Sequence, residues 1–130
     1  MVVYCAADLL WATRIKSTAD ALQVPCRPVR SVEMLRARLA DSDVRGLIVD
    51  LDTPDLALEL VSALRSATDR GSVLGGTGTE AVADPKTVRI IAFGPHVAVE
   101  LFEKARAAGA DRVFARGAFD RNLPEILRAL

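Results

Sequence analysis

Apolar runs alternate with helix-like patterns five times along the 130 residues. That alternation predicts an α/β fold: a flavodoxin-like, doubly wound, five-stranded parallel sheet in the order 2-1-3-4-5, with helices on both faces. Three observations carry this. The strand-like runs are short and almost continuously apolar, as strands covered on both faces are. Each is followed by a stretch with apolar residues three and four apart. The chain is also too short for an eight-unit barrel, which takes about 200 residues or more.

The first strand is Val2 to Cys5, and Asp8 is placed to cap a helix carrying Trp11 or Ala12, Ile15, Ala19 and Leu22 on one face. Pro25 stops that helix. Cys26 to Val29 forms the second strand, where Pro28 suits a sheet edge. Ser31 caps a second helix with Val32, Leu35 and Leu39 inward. Gly46 to Leu51 is the clearest strand, with Asp50 near its end. Asp55 is expected to cap a third helix running to about Ala67, with Leu60, Val61 and Leu64 inward. Val88 to Phe93 is strand four, Val97 to Ala108 helix four, and Gly109 its C-cap. Arg112 to Ala115 is strand five, and Asp120 caps a last helix bearing Leu123, Ile126, Leu127 and Leu130. The whole of 1–130 reads as one domain. Residues 68–87, rich in Gly and containing Pro85, read as an insertion, with a small hairpin over Ser72 to Val82 turning at Gly75-Gly76.

Composition narrows the function. Half the residues are apolar (51%), enough for a real core, and 26% are charged, so the chain reads as globular. Seventeen basic residues balance seventeen acidic ones. A balanced charge argues against a dedicated nucleic-acid binder, whose affinity rests on phosphate neutralisation. The 14 Arg and 3 Lys are dispersed among acids. Cys5 and Cys26 belong to no metal-spaced cluster, and their places at opposite ends of neighbouring strands predict no disulfide. The apolar start lacks a basic flank and is interrupted by Asp8 and Arg14. Neither a signal peptide nor a membrane span fits, and a cytoplasmic protein is expected. The last helix ends the sequence, so no output domain is expected after it.

In such sheets ligands bind beyond the carboxyl ends of the strands. Asp50 is the strongest candidate there: a strand-end carboxylate can be a phosphoryl acceptor or metal ligand, or can cap a turn or pair with Arg116. Asp52 is read as capping the Thr53-Pro54 turn and is also a ligand-binding candidate. His96, at the start of helix four, is a ligand candidate or a solvent-facing residue; Arg116 is a second ligand candidate. The Gly-rich stretch lies at the opposite edge and lacks a Gly-Lys-Ser/Thr ending, so it is no phosphate cradle. No Ser, His and carboxylate set converges on a hydrolytic site.

Asp50-Leu51-Asp52-Thr53-Pro54-Asp55 resembles the phosphoacceptor segment of bacterial response-regulator receiver domains. Ala107-Ala108-Gly109-Ala110-Asp111-Arg112-Val113-Phe114-Ala115-Arg116 resembles the segment leading through strand five to the family's Lys. The resemblance covers nearly the whole chain apart from 68–87. It implies Asp50 as phosphoacceptor, and the departures from it imply lost chemistry. The family's Mg²⁺-binding acidic pair stands at Ala6 and Ala7 here; its Ser/Thr stands at Gly94, its Lys at Arg116, the following Pro at Gly117 and its aromatic switch near Val113. The chain is therefore similar to a degenerate, or pseudo-, receiver. The resemblance also implies a partner face on helix four, strand five and helix five, where Arg106, Arg112 and Arg121 lie among Glu100, Glu103, Asp111 and Asp120.

Three functions follow as expectations. The first is a non-enzymatic regulatory module that binds a protein or a second copy of itself, forming a possible homodimer without phosphorylation, cofactor, nucleic acid or membrane. The second is a working phosphoacceptor using Asp50 and Mg²⁺. The third is a small-anion or nucleotide site at the strand-end crevice, using His96 and Arg116.

Overall fold

A computed structural model describes residues 1–78 and 88–130, with only the backbone described over residues 67–78. Five parallel strands form one sheet in the order β2-β1-β3-β4-β5. They are β1 (Val2–Cys5), β2 (Cys26–Pro28), β3 (Gly46–Asp50), β4 (Arg89–Gly94) and β5 (Arg112–Ala115). The helices are α1 (Leu9–Ala21), α2 (Val32–Asp41), α3 (Pro54–Gly78), α4 (Val99–Ala108) and α5 (Arg116–Ala129).

Side-chain alternation along the strands divides the core in two. Val3, Cys5, Leu47, Val49, Ile90 and Ala92 pack with α2, α3 and α4. Val2, Tyr4, Ile48, Ile91 and Phe93 pack with α1 and α5. On that second face Phe93 stacks on Phe119 with ring centroids 4.0 Å apart, and Trp11 meets Phe93 at 5.3 Å. Cys26 pairs in register with Val2, three residues from Cys5, and the two thiols lie in opposite core layers. Both are free and buried. Burial pushes the Cys26 thiol up to about 11, so it is an inert core residue.

Local chemistry sets most boundaries. Asp8 accepts from the Leu10 amide at 2.8 Å and Ser31 from the Met34 amide at 3.1 Å, each capping its helix. Pro28 sits on the edge strand, where its missing N–H leaves no ladder bond unmade.

Four expectations need correction. The third helix runs through Gly78, so residues 68–78 are helical and 72–78 do not form a hairpin arm; residues 79–87 of the expected hairpin and insertion lie outside the described residues. Glycine in a helix costs only about 1 kcal/mol and breaks nothing by itself, and Pro85 is the first obligate breaker after Pro54. The same helix begins at Pro54 with Asp55 in its first turn, so Asp55 is not the cap. Proline suits a first helical position because its N–H would be unsatisfied there anyway. Helix four starts at Val99, because a turn from the Pro95 carbonyl to the Ala98 amide (2.9 Å) takes up Pro95 to Ala98. Helix five starts at Arg116, bringing fully buried Phe119 onto the sheet within its first turn. Asp120 is thus inside that helix and bonds Arg14 across to α1 at 2.8 Å.

Candidate functional site

Asp50 is the last residue of β3, beside Phe93 of β4, and it is 0% exposed. It is the one polar side chain among the described residues that is buried in the core. Its Oδ1 accepts from the Asp52 amide at 3.0 Å, which fixes the turn after the strand. Its Oδ2 has no hydrogen-bond partner. Burial raises the Asp50 carboxyl above the ordinary carboxylate value; the Asp52 amide and the Arg116 charge offset part of that, while the Asp52 and Asp8 charges add to it.

Arg116, the first residue of α5, reaches back over this strand end. Its Nη2 forms an ion pair with Asp52 Oδ2 and lies 4.0 Å from Asp50 Oδ1. Its Nε has no hydrogen-bond partner. Thr53 Oγ1 is also buried without a partner. Every such orphaned buried side-chain atom among the described residues belongs to Asp50, Thr53 or Arg116. This concentration stands out, since native structures pair nearly all buried polar groups.

Of the residues expected to act here, Asp50, Asp52 and Arg116 come together. Asp52 does more than cap a turn: it holds the guanidinium. His96 does not join them. It is exposed in the turn before α4 and has no hydrogen-bond or ion-pair partner among the described residues. Thr53 was legible only as a turn residue, and nothing in its sequence context signals a buried, unpartnered hydroxyl.

The three arginines of the expected partner face are all exposed: Arg106 on α4, Arg112 on β5 and Arg121 on α5. Arg112 lies over the Phe114 ring at 4.8 Å. Two acids expected to neutralise this face are engaged by other cations of the same chain. Asp111 is bound by Arg65 and the Ile90 amide, and Asp120 by Arg14. Glu100 and Glu103 remain beside the arginines.

Solved structures that match this fold include response regulators and receiver domains. A response regulator from Thermotoga maritima matches at 12% identity and TM-score 0.70, over 98% of this chain and 93% of that one. The chemotaxis response regulator CheY4 of Vibrio cholerae matches at 14% identity and TM-score 0.71, over 98% of this chain and 95% of that one. The receiver domain of the sensor histidine kinase PA1611 from Pseudomonas aeruginosa matches at 14% identity and TM-score 0.71, over 98% of this chain and 93% of that one; its structure has magnesium coordinated in the active-site cleft. The fold is the receiver fold. No family model and no curated protein matches the chain.

A receiver-type Mg²⁺ does not fit the residues present. Mg²⁺ demands near-octahedral oxygen ligands and tolerates little compromise. After β1 stand Ala6 and Ala7, and the Asp8 carboxylate is committed to the start of α1. No group of three or more His, Cys, Asp or Glu among the described residues could hold a metal ion. The Arg116 guanidinium already brings positive charge to Asp50 and Asp52. The position that the family gives to Ser/Thr is equally closed. A Cβ at Gly94 would stand 3.1 Å from Leu51 Cβ, tighter than ordinary packing.

Proposed function

We propose that this chain is a receiver-fold regulatory module that works by protein–protein contact without phosphorylation. The observation that carries the reading is Arg116: a fixed side-chain cation meets Asp50 and Asp52 where a metal-dependent receiver needs a removable one. Phosphoryl transfer to a carboxylate requires charge neutralisation of the incoming group and access to the carboxylate oxygen. Asp50 is wholly buried, and Ala6 and Ala7 offer no ligand to a metal. The module therefore rests in one state, and its output is set by what binds it.

The partner surface in this reading is α4, β5 and α5. With Asp111 paired to Arg65 and Asp120 to Arg14, Arg106, Arg112 and Arg121 remain exposed. Such a face suits an acidic patch on a protein partner or on a second copy of the chain, with charge setting encounter rate and orientation.

The test is intact-protein mass after incubation with Mg²⁺ and acetyl phosphate, with wild type beside Asp50→Asn, both shown folded by circular dichroism. The expected result is no phosphate adduct on either. An adduct on wild type alone would overturn the reading and restore Asp50 as a phosphoacceptor.

A further inference from the structure

A cavity of about 510 Å³ opens beyond the carboxyl ends of β1 and β2, against α1. That volume is in the range that holds small organic ligands. Its lining is mostly apolar, including Ala7, Leu9, Ala12 and Leu56, and its charged lining residues are Lys16 and Arg30. No carboxylate lines it. Arg30 is exposed and has no ion-pair partner among the described residues, whereas Lys16 is shared with Asp20 at 2.9 Å. The nearest acid in sequence, Asp8, is turned onto the Leu10 amide. Leu9, also in the lining, is 78% exposed and offers apolar surface to a ligand.

We infer that this cavity is a binding site for an organic carboxylate with an apolar body. The chemistry follows from the lining. An apolar body is drawn to the alanine and leucine walls, and the Arg30 guanidinium offers a planar fork of donors that matches a carboxylate bidentately. The Tyr4 hydroxyl, also in the lining, has no hydrogen-bond partner among the described residues and is free to bond the ligand. Ala6 and Ala7 line the same cavity. The small residues that deny a metal its ligands thus also leave this space open and free of acidic groups. The site does not depend on how Asp50 and Arg116 are read, so either account can fail alone.

The experiment uses the full chain and three probes: 1-naphthaleneacetate, its neutral amide, and inorganic phosphate. Affinity is followed by amide chemical shifts and by thermal stabilisation, because a ligand of the native state alone raises stability. The acetate is expected to shift amides of Ala6, Ala7 and Arg30 and to bind about tenfold more tightly than the amide, the weight of a charge-assisted hydrogen bond. Phosphate is expected to leave these amides unmoved. Arg30→Gln should lose that tenfold preference and keep amide binding. Thr13→Trp, at an exposed lining position, should fill the cavity and abolish both. Binding of the acetate that Arg30→Gln leaves unchanged, phosphate binding as tight as the acetate, or no shifts in a folded wild type would overturn the inference.

Discussion

Two arginines each meet an aspartate at opposite ends of the sheet, and they do so differently. At the amino ends of β4 and β5, Arg65 donates from Nε to the Gly109 carbonyl at 2.9 Å, from Nη1 to the Val88 carbonyl at 3.3 Å and from Nη2 to Asp111 at 2.7 Å. Asp111 also accepts from the Ile90 amide at 2.7 Å. Each of the three guanidinium nitrogens has an acceptor, and the network ties α3 to both strands. At the carboxyl ends, Arg116 pairs through Nη2 with Asp52 and approaches Asp50, while its Nε, one Asp50 oxygen and the Thr53 hydroxyl have no hydrogen-bond partner. The first pair is a latch, fully bonded, and its function is stability. The second is held by charge with hydrogen bonds left unmade, which costs stability and is found where sites are.

The comparison breaks most readily at the latch. Arg65→Met should destabilise by about 3 kcal/mol, since it leaves part-buried acceptors with charge-assisted bonds unmade. A urea midpoint reads this directly, and a loss below about 1 kcal/mol would show the latch to be ornamental. Gly109→Ala should cost about 2 kcal/mol through the same latch. Gly109 has φ 123°, and a Cβ there would lie 2.3 Å from Arg65 Cγ. Its loss should be non-additive with Arg65→Met in a double-mutant cycle.

The carboxyl-end pair should respond with the opposite sign. Asp50→Asn is expected to stabilise by about 1 kcal/mol at neutral pH, because it removes a buried charge whose oxygen is unpartnered. The pH dependence has a definite direction. The folded carboxyl lies above its ordinary value of 3.8, so it favours the folded state fully only below that value. That contribution is lost as pH rises through the higher folded value, and the Asn variant should lack the loss. Thermal melts from pH 3 upward check it, and an Asn variant less stable than wild type at neutral pH would contradict the account. The smallest effect is a gain: Ala6→Asp, Ala7→Asp and Arg116→Lys together should confer Mg²⁺-dependent thermal stabilisation absent from wild type, by supplying oxygen ligands and withdrawing the guanidinium.

Much of the fold was legible because apolar periodicity and capping act locally. The Asp8 and Ser31 caps and the Gly109 C-cap each follow from a few adjacent residues, and the strand order follows from the fivefold alternation and the chain length. Errors fell where a distant contact overrode a local signal. Asp120 looked like a cap but bonds Arg14, 106 positions away, and Phe119 drew α5 onto the sheet early. The run of glycines in residues 71–78 suggested a turn, yet glycine only weakens a helix. At the site, Asp50 and Arg116 were legible from their strand ends. The ion pair of Asp52 with Arg116 and the buried Thr53 hydroxyl were not, because both depend on how α5 returns over β3. The Arg65 latch went unread for the same reason: its partners lie 23 to 46 residues away.

The most direct measurement is a Mg²⁺ titration of the isotope-labelled chain, following the amides of Ala6 to Asp8 and Asp50 to Thr53. If Arg116 supplies the site's positive charge, these signals stay in place through millimolar Mg²⁺, while the Ala6→Asp, Ala7→Asp, Arg116→Lys variant shows them move together. Saturable movement in the wild type would mean that a metal binds beside Arg116, and the account of this site would be wrong.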